Sequence, residues 1–265
     1  MDYRHIVLKD GPVATVILNR PELRNAMDDQ TLRELSDVFR RLGKAPDLRA
    51  VVVRAEGKDF CAGADINWMR RAGRMPSAKS RKDAALLVDM CHAVDACPAP
   101  VITVARGGIY GGGLGLISVC DIVIAETCSK MCFSECRLGI VPAVISCFVI
   151  PKIGEAQARR YYLTAEVFNA ETALRLGIVH EVAEESEIES RLEHVLDNIL
   201  RNGPQAVREA KAMLRKFPGL AFEKRVKRVL DTLTRLRASP EGQEGLSAFL
   251  EKRPPSWAAK ESSRG

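Results

Sequence analysis

The chain has 265 residues, 46% of them hydrophobic and 28% charged, with a net charge of +6. That length allows one large domain or two small ones, and the apolar share excludes a disordered chain. The mild positive charge suits an anionic small molecule, whereas Lys and Arg scattered among few aromatics give nucleic-acid binding no support. Met1-Asp2-Tyr3-Arg4-His5 lacks an apolar signal core and no run reaches membrane-spanning length, so a reducing cytoplasm and no membrane partner are expected. Residues 12–18 alternate and are β-branched, which predicts a strand. Residues 28–43 set Leu32, Leu35, Val38, Phe39 and Leu42 at helical spacing behind Asp28 and Asp29 as caps. Residues 50–54 predict a second strand, and the small-residue loop Phe60-Cys61-Ala62-Gly63-Ala64-Asp65-Ile66 then opens a helix. Residues 79–96 predict a helix with Leu86, Leu87, Met90 and Val94 on one face. Val101 to Val104 and Asp121 to Ala125 are strands, and Gly111-Gly112-Gly113 lies between them, ahead of the apolar Leu114-Gly115-Leu116-Ile117. This alternation predicts an α/β core. After about residue 143 the pattern turns almost wholly helical: residues 154–163, 169–176, 186–202, 204–216 and 219–237 carry helical periodicity between Gly and Pro punctuation. Pro240 opens a last short helix. The expected division is a core over residues 1–195 and a helical region over residues 196–265.

Glycine has no Cβ, so a glycine N–H can approach a ligand atom where any side chain would clash. At a helix start such N–H groups lack intrahelical partners, and an oxyanion or a phosphate suits them. A tightly packed glycine turn is the other reading of Gly111 to Gly113. No Gly-Lys-Ser/Thr follows, which excludes a Walker loop, and no acidic residue stands at a ribose-binding distance. With the Phe60 to Ile66 loop, two small-residue loops each end a βα unit. Together they offer two backbone N–H groups to one oxygen, the arrangement a thioester carbonyl needs when it becomes an enolate.

These blocks resemble the crotonase, or enoyl-CoA hydratase/isomerase, superfamily. The likeness runs nearly end to end through Asn19-Arg20-Pro21 with Asn25-Ala26, Phe60 to Ile66, Pro100-Val101-Ile102, Gly111 to Gly113, Cys120-Asp121-Ile122, Glu135 with Leu138-Gly139 and Pro142, Leu163-Thr164, Gly177-Ile178-Val179, and Phe249 to Arg253. Ser134 to Ser146 and Ala158 to Tyr162 are most similar to 3-methylglutaconyl-CoA hydratases and related hydratases of branched dicarboxyl esters. The resemblance implies a spiral of ββα units with a C-terminal helical trimerisation region, a homotrimer or hexamer, and an acyl-CoA thioester as partner. No separate cofactor and no metal are implied, since coenzyme A is part of the substrate. Carried onto this chain, it implies that Ala64 and Gly112 are the oxyanion donors and Glu135 the general acid/base. It also implies that Arg24, Ala62, Asp65, Ile66 and Gly111 meet the ester or its CoA, with Phe249 and Lys252 packing over the CoA of a neighbouring subunit.

Glu135 follows the strand-like Lys130 to Phe133, and apolar Ile140 and Val141 nearby predict a raised pKa by desolvation. The chain departs from many family hydratases at Gly115, where a second glutamate is common. A glycine there is expected to leave space but no acid opposite Glu135, with Tyr110, Ser134, Ser146 and Cys147 as candidates for the missing polar role. Arg70, Arg71 and Arg74 are candidates to pair with a distal carboxylate on the acyl chain. Cys128, Cys132 and Cys136 recur every four residues with no His near, and are expected to be structural thiols; His92 and His180 also read as structural. The expected activity is hydration or dehydration of a branched or dicarboxyl enoyl-CoA. Isomerisation or decarboxylation with a single Glu, and non-catalytic binding of CoA esters, are the alternatives.

Overall fold

The computed structural model describes residues 3–258; Met1, Asp2 and residues 259–265, and with them part of the N-terminal reading, lie outside the described residues. The chain forms two compact units. One runs to Cys97 and then over Val101–Leu192; the other comprises Pro98–Pro100 and the chain from Glu193.

The first unit contains β1 (Ile6–Lys9), β2 (Val13–Leu18), α1 (Asp29–Leu42), β3 (Ala50–Ala55), α2 (Ile66–Ala72), α3 (Ser77–Asp95), β4 (Val101–Ala105) and β5 (Gly108–Tyr110). It continues with α4 (Gly112–Ser118), β6 (Ile122–Glu126), β7 (Lys130–Cys132), α5 (Ala143–Thr164), β8 (Phe168–Asn169), α6 (Ala170–Arg175) and β9 (Glu181–Ala183). Six strands make one sheet in the order β1-β2-β3-β4-β6-β9, parallel except for the antiparallel β1–β2 edge. Its central strands are buried on both faces, which is why Val51-Val52-Val53 and Val101-Ile102 read as continuous apolar runs rather than alternating ones. A second sheet, β5-β7-β8, carries the segments that flank the triple glycine and Glu135.

Helix α1 is set by its sequence. The Asp28 side chain accepts from Thr31 N at 2.9 Å, and the stripe from Leu32 to Leu42 is buried, each such side chain contributing about 1.5–3 kcal/mol. Helix α5 differs from the expected 154–163. It begins earlier, at Ala143, and Gly154, at φ 74° and ψ 161°, kinks it into two helical stretches, the second opening where the sequence places it. Strands β8 and β9 also lie in the stretch that reads as helical. Glu181-Val182-Ala183 is too short to show alternation, and its strand form comes from parallel pairing with β6.

The last helices are α7 (Ile188–Leu200), α8 (Pro204–Lys216), α9 (Phe222–Arg237) and α10 (Pro240–Leu250). In the second unit, the Glu241 carboxylate accepts from Gln205 N and Ala206 N at 2.8 Å each, satisfying orphan donors at the start of α8. Lys211 Nζ reaches Ala99 O at 3.1 Å, tying α8 to the Pro98–Pro100 segment. Leu214, Phe222, Leu230, Phe249 and Leu250 stand exposed. Among the described residues no helix is long and apolar enough to cross a membrane.

Candidate active site

The loop after β3 is held by three backbone bonds. Ala62 N donates to Arg24 O at 2.9 Å, Met27 N to Gly63 O at 2.8 Å, and Asp65 N to Met27 O at 2.8 Å. That ladder passes over Ala64, whose N–H has no partner among the described residues. Asp65 then caps α2: Oδ1 accepts from Asn67 N and Trp68 N at 2.9 and 3.1 Å, and Oδ2 from Arg20 Nη2 at 3.3 Å. Its carboxylate is therefore committed to holding the loop.

Gly111 sits at φ 45° and ψ −113°, and its N–H donates to Cys132 O at 3.0 Å. A Cβ here would stand 2.9 Å from Glu135 Oε1, so only glycine leaves room for that carboxyl. The next residue, Gly112, opens α4, and its N–H also has no partner among the described residues. A Cβ built on Gly112 would lie 4.0 Å from Ala64 N, which makes the two open donors neighbours.

Glu135 begins a single 3-10 turn after β7, ended by Gly139 in the left-handed region. Its Oε2 is buried and takes no hydrogen bond. Burial pushes the carboxyl above its ordinary 4.5, against a smaller lowering by its own backbone N–H. A buried, unpaired carboxyl beside two open N–H donors can exchange a proton with a molecule whose carbonyl oxygen those donors hold.

All three groups line one cavity of about 670 Å³, a size usual for small-molecule sites. Ala62, Asp65, Ile66 and Gly111 line it too, with Trp68, Leu87, Ile140, Val141 and Ile145 forming apolar walls. Arg24 is not in the lining, although Leu23 and Ala26 are. Its Nε donates to Asp59 Oδ2 at 2.6 Å and its guanidinium lies 5.8 Å from the Tyr110 ring centroid. Phe249 is exposed near the end of α10, and Lys252 follows at φ 55°, both in the second unit.

Two expectations are corrected. Gly115 leaves no space: it is buried, and a Cβ there would overlap Ile145 Cγ2 and stand 3.1 Å from Ile145 Cβ. The room a second glutamate would take is filled by α5. Arg70, Arg71 and Arg74 do not line the cavity. They are exposed around the end of α2, where Trp68, Met69 and Ala72 turn inward instead. Of the four candidates for the second polar role, Ser134 alone lines the cavity; Ser146 Oγ donates to Pro142 O at 2.5 Å and Cys147 is exposed.

The remaining groups are structural in form. Cys132 is buried and donates to Ala165 O at 3.0 Å, while burial drives the Cys61 thiol up to about 12. His180 Nδ1 accepts from Val123 N at 3.0 Å, and burial lowers its pKa, with Lys152 adding to the effect. His92 is exposed on α3. Sequence reasoning missed Trp68, Asp83 and Ile145 among the cavity's lining. Trp68 follows the small-residue loop by one helical turn, which is a usable signal; Asp83 and Ile145 carry none, because tertiary packing alone brings them to the cavity.

A family model described as "Enoyl-CoA hydratase/isomerase" matches residues 9–260. A crotonyl-CoA hydratase of Syntrophomonas wolfei is 31% identical over 98% of this chain and 100% of its own. A crystal structure of an enoyl-CoA hydratase from Shewanella pealeana superposes with a TM-score of 0.91 at 36% identity, covering 96% of each chain. Pseudomonas aeruginosa AtuE superposes with a TM-score of 0.93 at 33% identity, covering 96% of this chain and 100% of that one.

Proposed function

The chain belongs to the enoyl-CoA hydratase/isomerase family, and from that premise we propose that it hydrates an enoyl-CoA, or dehydrates the 3-hydroxyacyl-CoA, with Glu135 as its one proton-transfer group. The observation that carries this reading is the buried, unpartnered Glu135 Oε2 on the same cavity as two unpartnered N–H groups.

The thioester oxygen accepts from Ala64 N and Gly112 N. As a water oxygen attacks C3, Glu135 takes the water's proton and negative charge moves onto the thioester oxygen. The enolate then collapses, and C2 takes the proton back from Glu135. The carboxylate ends as it began, so a single glutamate suffices. Each oxyanion donor is worth about 10²–10³ in rate and the acid/base group about 10²–10⁴. Ala62, Asp65, Ile66 and Gly111 shape the approach to the thioester, Arg24 backs the loop from outside the cavity, and Phe249 and Lys252 cover the CoA of a neighbouring subunit. Exposed apolar side chains on α8 to α10 support self-association as a trimer or a pair of trimers. Cytoplasmic placement and the absence of a separate cofactor complete the reading.

For the acyl group we favour a branched enoyl ester of the 3-methylcrotonyl or 3-methylglutaconyl kind, on the likeness at residues 134–146 and 158–162. The dicarboxyl member of that pair lacks a cation in the cavity lining to receive it. Double-bond migration is the second reading, favoured by the filled space at Gly115, because one carboxylate can carry a proton between C4 and C2. An assay over crotonyl-, 3-methylcrotonyl-, 3-methylglutaconyl- and a Δ3-enoyl-CoA decides. Loss of enoyl absorbance on water addition supports hydration; turnover of the Δ3 ester alone replaces it with isomerisation.

A further inference from the structure

Leu87 and Gly112 meet inside the cavity, Leu87 Cδ1 lying 4.0 Å from where a Cβ on Gly112 would stand. From Leu87 the lining face of α3 runs through Ala84 and Asp83 to Ser80, opposite Trp68 of α2. This is the arm left for the acyl chain once the Ala62–Ile66 loop is given to the CoA, so the inference rests on the function proposed above. Asp83 is the charged group of that arm. Trp68 Nε1 donates to its Oδ1 at 3.1 Å, which fixes the carboxylate against the wall, and the cavity lining around it holds no Lys or Arg.

Asp83 precedes Leu87 by one helical turn, about 6 Å along the axis. A distal carboxylate at C5 stands four bonds of about 1.5 Å from the thioester carbon, which spans nearly the same distance when extended. We propose that Asp83 is a specificity-determining residue that rejects acyl chains bearing a distal carboxylate, and that the substrate is an enoyl-CoA with an uncharged acyl chain. Two carboxylates at one level of that arm repel, and the lining offers no Lys or Arg to separate them. An uncharged branched chain meets Trp68, Ala84 and Leu87 with no such opposition.

The test compares 3-methylcrotonyl-CoA with 3-methylglutaconyl-CoA, which share the methyl branch and differ in the distal carboxylate. Both kcat/KM and, by calorimetry, Kd are measured for the unaltered enzyme and for Asp83→Asn. Asparagine keeps an acceptor for Trp68 Nε1 and removes the charge. The unaltered enzyme is expected to favour the uncharged ester by at least about tenfold, and Asp83→Asn to shrink that ratio by at least about fivefold. A preference for the dicarboxyl ester, equal affinity for the two, or a ratio unmoved by Asp83→Asn overturns the inference. If neither ester turns over but Kd still discriminates in the Asp83-dependent way, the hydratase reading fails and this one stands.

Discussion

Gly115 and Ile145 offer the sharpest test of the packing around the site. A Cβ at position 115 would overlap Ile145 Cγ2 and stand 3.1 Å from Ile145 Cβ, against an ordinary carbon contact of about 3.5–4.0 Å. Gly115→Ala therefore forces α4 and α5 apart. Overpacking of this kind costs about 1–3 kcal/mol, and the better helix propensity of alanine returns about 1 kcal/mol. The expected net loss is about 0–2 kcal/mol, read as the shift in urea midpoint at constant slope. Ile145→Ala alone should cost about 2–5 kcal/mol, because Ile145 is 1% exposed and leaves a cavity. In the double variant the removed Cγ2 vacates the space that the new methyl needs, so the two losses should fall short of their sum by about 1–3 kcal/mol. Ile145→Val is the control: it retains Cγ2, so it should show no such relief with Gly115→Ala. Additivity within about 0.5 kcal/mol in the alanine cycle would refute the overlap. By the same geometry Gly115→Glu alone should lower crotonyl-CoA hydration, because a displaced α4 carries Gly112 with it.

Glu135→Gln should lower kcat by about 10²–10⁴ while CoA esters still bind, measured by steady-state kinetics and calorimetry; near-full turnover places the chemistry elsewhere. Burial raises the folded carboxyl above 4.5, so the folded chain holds its proton to higher pH than the unfolded one and stability falls as pH rises through that window. Glu135→Gln should therefore be the more stable protein at neutral pH in urea melts, with the advantage shrinking as pH falls through the raised pKa; an advantage that grows in acid contradicts the raised pKa. Gly112→Pro removes one donor at a first helical position, where proline is tolerated, and should lower kcat by about 10²–10³ with the fold retained by circular dichroism. Light scattering at micromolar protein should give a multiple of the chain mass, with a trimer as the smallest species; a monomer contradicts the proposed assembly.

Where periodicity and capping are local, the chain was readable. Asp28 caps α1 as its position before Leu32 and Leu35 requires, and α8 spans residues 204–216 because Pro204 and an amphipathic stripe define it. The small-residue loops were equally legible, since backbone that must approach a ligand or a carboxyl tolerates little else: Gly111, at φ 45° against Glu135, is the clear case. Strands β8 and β9 were not readable, because they are strands only by virtue of what they pair with.

The amino-acid sequence by itself determined the α/β core, the helical tail and the two small-residue loops, whereas Glu135 stood out only through the family resemblance. These depend on local backbone preference and on residue types that few other constraints produce. Only the tertiary structure decided that Ala64 and Gly112 are neighbours with open N–H groups, that Ile145 fills the space beside Gly115, and that Asp83 rather than Arg70, Arg71 or Arg74 lines the cavity. Each of those facts is a distance or a direction between elements far apart in the chain. Spacing along a sequence tells which residues share a helix face, but which face turns toward the cavity depends on what the neighbouring helices leave unfilled.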